Sequence, residues 1–215
     1  MDKIVFGIDY GERSSGLAKL NTRVGFSEPV GVFHNSELID FLSKRSDEFD
    51  TLVIGLPLNL KGEFSSITFK SIKFAEKVHR ILKKRVFLLD ERFTSSYGKH
   101  LFLQNPSGRK FKAVKDAFAA SLILESFFTN PSIAKELNPE FIILPKKMEE
   151  KIAGKNVLVT KRYKIGNWVE KAKRLVFLTK DPYYFYLLSK NKLEVLFADL
   201  EDISEELRKE FDIII

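Results

Sequence analysis

The chain has 215 residues, no cysteine, a formal net charge of +7, and 44% apolar against 30% charged side chains. That length suits one large domain or two small ones, and the lack of cysteine excludes disulfides, cysteine-ligated zinc and iron–sulfur clusters. Twenty Phe and a balanced charged fraction exclude a disordered chain, and no apolar run approaches the ~18 residues of a membrane helix.

Met1 leads into charge and then into a strand-like run, so no signal peptide is expected and the expected location is cytoplasmic, with no membrane contact. Ile4, Val5, Phe6 and Ile8 form the first strand, which reaches Asp9. Gly11 turns the chain, residues 15–20 read as a returning strand, and residues 25–33 as a third. Asn35 or Ser36 is placed to cap a short helix carrying Leu38, Ile39, Phe41 and Leu42. Residues 51–54 form a compact buried strand ending at Gly55 and Pro57. Phe69, Ile72, Phe74, Ala75, Val78, Ile81 and Leu82 recur at helical spacing within residues 66–83. Another strand, residues 85–89, ends at Asp90 and Glu91. Thr94 or Ser95 is expected to cap a helix through Leu103, Pro106 and Gly108 break the chain, and residues 111–128 form an amphipathic helix carrying Asp116.

Pro131 and Pro139 punctuate the chain, and residues 145–155 are polar and charged. This divides the chain into a domain at 1–135 and a small α/β domain at 140–215. In the latter, residues 156–160, 174–179, 193–197 and 212–215 are strand candidates. Residues 168–173, 182–189 and 203–211 are the helix candidates between them, an order that suggests a small parallel layer. Tyr163, Trp168, Tyr183, Tyr184 and Phe185 either stack on bases or fill a core. Residues 1–135 carry 21 basic and 15 acidic side chains, and residues 136–215 carry 15 and 14. The basic excess in the first part suits a polyanionic partner, or solubility alone.

Three acids stand where chemistry is plausible. Asp9 and Glu91 end buried strands, and Asp116 sits in an apolar helix between Val114 and Ala117. Carboxylates there are costly unless paired, hydrogen-bonded or metal-bound. Hard divalent cations take such oxygens, and two ions about 4 Å apart activate water and stabilise a leaving oxygen. Each acid is equally readable alone as a cap, turn or surface residue.

Four segments narrow this. DYGERSSGLA at 9–18, VIGLPLNLKGE at 53–63, LDERFTS at 89–95 and KAVKDAFAASLIL at 112–124 together resemble the YqgF/RuvX family, which is described as Holliday-junction-resolvase-like and as a pre-16S rRNA nuclease family. The resemblance covers roughly residues 1–130. It implies a ribonuclease H-like α/β fold, a mixed sheet flanked by helices, and it implies that Asp9, Glu91 and Asp116 are catalytic and hold one or two Mg²⁺ or Mn²⁺ ions. Asp90 is the fallback ligand. Ser14 stands where the family places an arginine, with Arg13 one residue earlier. Arg13, Asn59, Arg92 and Lys112 are the candidate substrate contacts. Asn59 either binds a phosphate or shapes its loop, and Arg92 either binds phosphate through its planar fork or pairs with Asp90. Lys99, His100, Arg109, Lys110, Lys112 and Lys115 cluster around the Pro106–Gly108 break and either close on a nucleic-acid backbone or form a solvated loop.

The expected activity is metal-dependent endonucleolytic hydrolysis of structured nucleic acid, precursor 16S rRNA first and branched DNA second. A non-catalytic nucleic-acid-binding module is the alternative. A sugar kinase or actin-like ATPase shares the D-x-G after a first strand, but one short domain without a second phosphate loop argues against it. Oligomeric state is left open, a dimer included.

Overall fold

In a computed structural model, residues 4–94 and 109–215 are described, without the side chains of Phe93 and residues 109–114. They divide into two compact units, Met1–Leu137 and Asn138–Ile215.

The first unit is a six-stranded sheet in the order β3-β2-β1-β4-β5-β6. Strands β1 (Ile4–Asp9), β2 (Ser14–Asn21) and β3 (Phe26–His34) run antiparallel as a meander. Strands β4 (Phe49–Leu56) and β5 (Arg85–Asp90) then add parallel to β1. This is the ribonuclease H-like arrangement. A short β6 (Ala134–Glu136) closes the sheet antiparallel to β5. Sequence periodicity missed β6, because three residues carry no readable alternation. Arg85 holds it in place, its Nε and guanidinium nitrogens donating to Glu136 at 2.7 and 2.8 Å.

Among the described residues, three helices cover the sheet: α1 (Asn35–Ser43), α2 (Ser66–Leu82) and α3 (Arg109–Thr129). Ser65 and Thr68 form a reciprocal capping box at the start of α2, and Lys83, in the left-handed region at φ 55°, ends it. The expected cap at Asn35 is not formed. His34 occupies the N-cap position of α1 without a side-chain bond, and Asn35 reaches elsewhere.

Strand parity decides what each face carries. Register pairs Gly7 with Ala18 and Val53, and Asp9 with Gly16, so these residues share a face. On that face Ala120, Ile123 and Leu124 of α3 pack with Val5, Ala18, Leu20, Val53 and Leu89. A Cβ on Gly7 would press into the Leu124 side chain and the Ala120 carbonyl oxygen at 2.5 and 2.7 Å. Glycine there lets α3 lie close to the sheet.

The second unit is a four-stranded, wholly parallel sheet in the order β10-β7-β8-β9. Its strands are β7 (Asn156–Val159), β8 (Arg174–Leu178), β9 (Glu194–Leu196) and β10 (Ile213–Ile214), with helices α4 (Lys146–Ile152), α5 (Pro182–Lys190) and α6 (Glu205–Lys209). Helix α4 was not expected: its sequence is charged, and Ile152 is its one fully buried side chain. The expected helix at 168–173 is instead a 3-10 turn, Asn167–Glu170. Tyr163, Trp168 and Tyr184 are core residues of this unit. The Trp168 indole donates to the Lys164 carbonyl and the Tyr184 hydroxyl to the Tyr163 carbonyl, each at 2.8 Å. Burial of Tyr184 pushes its phenol well above the ordinary value. All three rings are buried, and the indole N–H and the Tyr184 hydroxyl are satisfied inside the fold, so the core reading holds for these three rings and base stacking does not.

Candidate active site

Asp9 is the last residue of the central strand β1, and the chain turns sharply after it through Tyr10–Arg13. Gly11 permits that turn, since a Cβ there would overlap the Ser14 carbonyl oxygen. The turn is tied down by residues far away in sequence. The Gly11 N–H donates to Ser15 Oγ at 3.3 Å, and the Ser15 hydroxyl donates to Asn35 Oδ1 at 2.7 Å. Asn35 Nδ2 returns two bonds, to the carbonyls of Gly11 at 2.9 Å and Glu12 at 3.3 Å. Asn35 is therefore a buttress of the turn. Reading it as a helix cap concealed this, because its partners lie about one hairpin upstream.

Asp116 comes from α3 to the same place. Gly16 stands opposite Asp9 in the β1–β2 register, and a Cβ on Gly16 would overlap the backbone of Asp116. Gly16 is thus a point where helix and sheet touch backbone to backbone, which a hairpin role would not require. Asp9 and Asp116 line one cleft of about 420 Å³ with Tyr10, Gly11, Glu12, Arg13 and Ser14.

Glu91 lies on the other side of β1. It follows β5 in a 3-10 turn, Glu91–Phe93, and its carboxylate sits against Gly55, the residue of β4 just beyond the Ile8–Ile54 pair. A side chain on Gly55 would collide with Glu91 and with Ile123 of α3. Asp9, Gly16, Gly55 and Glu91 follow one parity, on the face that α3 covers. The structure gathers Asp9 and Asp116 into one cleft, and Glu91 is not among the residues lining it. Among the described residues, no three His, Cys, Asp or Glu side chains are close enough to hold an ion together. The donor chemistry nevertheless fits a hard divalent cation: two carboxylates face one open cleft, and a third lies on the same face of the sheet.

Asp90, the fallback ligand, is engaged. It accepts from the Arg92 backbone N–H at 3.0 Å and from the Arg92 guanidinium at 2.6 Å, and this pairing raises the arginine's pKa. Arg92 also lies beside Gly62, whose lack of a Cβ leaves space for the guanidinium. Asn59 bonds within its own loop. Its Oδ1 accepts from the N–H groups of Lys61 and Glu63 at 3.0 and 2.8 Å, and its Nδ2 donates to Glu63 Oε2 at 2.7 Å. Arg13 is exposed at the cleft. Burial, and secondarily Glu12, raise the Tyr10 pKa, so its hydroxyl remains a donor at neutral pH. Ser95, Lys99 and His100 lie outside the described residues, as do the side chains of Arg109, Lys110 and Lys112. Thr94 donates its hydroxyl to the Glu91 carbonyl at 2.6 Å. No helix among the described residues is long and apolar enough to cross a membrane.

Comparison with known proteins agrees with the first unit. Residues 3–130 match the family model described as RuvX, Holliday junction resolvase. A Thermotoga maritima protein named "Putative pre-16S rRNA nuclease" is 28% identical over 196 residues, covering 88% of this chain and 78% of its own. A match of that length runs past Leu137 into the second unit. A Shewanella denitrificans protein of the same name is 33% identical over 136 residues, 60% of this chain and 96% of its own. Among solved structures, Thermus thermophilus RuvC aligns with a TM-score of 0.40 at 11% identity, over 62% of this chain and 99% of that one.

Proposed function

The chain belongs to the RuvX family, and from that premise we propose that it is a divalent-metal-dependent endonuclease of the cytoplasm that hydrolyses phosphodiester bonds in structured nucleic acid. The substrate of this reading is precursor 16S rRNA, after the names of its relatives, with its 5′ end as the part that the family resemblance implies. The observation that supports it best is the meeting of Asp9 and Asp116 in one cleft, from elements more than one hundred residues apart in sequence.

Asp9 and Asp116 would hold one or two Mg²⁺ or Mn²⁺ ions, and Glu91, on the same face of the sheet, would be the third ligand. The ion, when bound, lowers the pKa of its water and offsets charge on the phosphate. Arg13, exposed on the turn that follows Asp9, meets a non-bridging phosphate oxygen. The Tyr10 hydroxyl offers a neutral donor in the same cleft. Arg92, its fork aligned by Asp90, binds backbone at the edge, next to the loop that Asn59 shapes. Lys112 stands one helical turn before Asp116 in α3 and is the remaining candidate contact for a phosphate.

The test is cleavage of a precursor 16S rRNA fragment and a four-way DNA junction side by side, with Mg²⁺, Mn²⁺ or chelator. Cleavage of the rRNA with metal and none with chelator is expected. Cleavage of the junction alone would move the substrate to branched DNA, which the description of the matching family model favours. A folded full chain that cuts neither would contradict the reading.

A further inference from the structure

The exposed positions of α2 form a pattern that the cleft does not use. Lys70, Lys73, Lys77 and Arg80 are all exposed. At 100° per residue they fall within one stripe roughly 80° wide. At 1.5 Å rise per residue the stripe is about 15 Å long, the axial run of roughly four nucleotides of one strand. Its opposite side is buried through Ile72, Phe74, Ala75, Val78 and Leu82, so α2 is fixed and the stripe cannot roll away.

The stripe begins at the cleft. Lys70 Nζ lies 2.7 Å from Glu12 Oε1, and Glu12 lines the cleft together with Asp9 and Asp116. Tyr10, also in the cleft, stacks on Phe74 of α2 with ring centroids 5.0 Å apart. Lys73, Lys77 and Arg80 have no ion-pair partner among the described residues. Beyond the Lys70–Glu12 pair at the cleft rim, the stripe continues through Lys73, Lys77 and Arg80 with positive charge alone, which solubility by itself does not require. A polyanion entering the cleft would meet that line of charge directly.

We propose that this face of α2 is a docking track for the sugar–phosphate backbone of a double-stranded RNA arm beside the bond to be cut. The proposal rests on the nuclease reading for the site that the track serves. Contacts of this kind are read through phosphate charge, so the track supplies affinity and direction without sequence preference.

The experiment uses the full chain and a fluorescent RNA hairpin with a single-stranded flank, titrated in chelator at a series of salt concentrations. Lys73→Gln/Lys77→Gln/Arg80→Gln is compared with wild type and with Lys146→Gln/Lys147→Gln/Lys151→Gln, which removes the same charge from exposed positions of α4. For the track variant, affinity should fall roughly 10- to 100-fold, and the slope of log K against log salt should flatten by about 2 to 3. In Mg²⁺ its KM should rise while kcat stays close to wild type. The α4 variant should stay near wild type. Equal losses in the two triple variants, or none in the track variant, would overturn the track while leaving the nuclease reading intact. A wild-type chain that does not bind the hairpin would overturn the track, while the nuclease reading stands or falls by the cleavage assay on rRNA and junction.

Discussion

An added methyl group at Gly16 would overlap the Asp116 carbonyl oxygen, and backbone on both sides leaves no flexible atom to yield. Gly16→Ala should therefore push α3 off the sheet, at about 1–3 kcal/mol of stability, the usual cost of overpacking. Chemical denaturation should show a lower midpoint, and cleavage should fall further than stability because Asp116 moves with the helix. An unchanged midpoint would contradict the close approach. Asn35→Ala removes the acceptor of the buried Ser15 hydroxyl and the donors to Gly11 and Glu12. A loss of about 1–3 kcal/mol follows from the unpaired buried groups. A raised KM is also expected, since the turn carrying Arg13 loosens; an unaltered stability curve would argue that the turn holds itself.

At the scale of elements, β6 offers a titration. Glu136 has its pKa lowered chiefly by the hydrogen bond from Arg85. A carboxylate depressed in the fold stabilises it above the unfolded glutamate value, and that contribution disappears as pH falls through the folded value. Acid unfolding followed by circular dichroism should show wild type losing this increment below roughly pH 4.5, whereas Arg85→Gln should lack it at neutral pH and change less on acidification. Both residues are substantially exposed, so the increment is small. Parallel acid profiles would mean that the pair does not tether β6. These elements were not equally legible. Strands β1, β4 and β5 announce themselves through apolar runs that stop at Asp, Gly or Pro, and α2 and α3 through helical spacing. Asp9, Glu91 and Asp116 stood out because a carboxylate ending a buried strand, or interrupting an apolar helix, needs an explanation. The roles of Gly16 and Asn35 were hidden because each depends on a partner that only the folded chain supplies. β6 and α4 were hidden because one is too short for a period and the other too charged for an apolar face.

Over the whole molecule, the four motifs and the cleft lie within Met1–Leu137, while Asn138–Ile215 has its own sheet and aromatic core. Residues 138–144 belong to the second unit, where Ile142 pairs with Arg162 and Lys164 through backbone bonds and Leu144 joins the core. We propose that the nuclease function resides in the first unit. A chain ending after Leu137 should stay folded by circular dichroism and keep metal-dependent cleavage, with affinity or selectivity altered. If it is folded yet inactive on every substrate that the full chain cuts, the second unit contributes to catalysis. The central claim is that Asp9 and Asp116 share one catalytic cation site, and single-turnover cleavage by the full chain in Mg²⁺ tests it. Asp9→Asn and Asp116→Asn should each lower the rate by about 100-fold or more, at least about 2.7 kcal/mol of barrier, with the circular dichroism spectrum unchanged. Cleavage at the wild-type rate by either folded variant would contradict it.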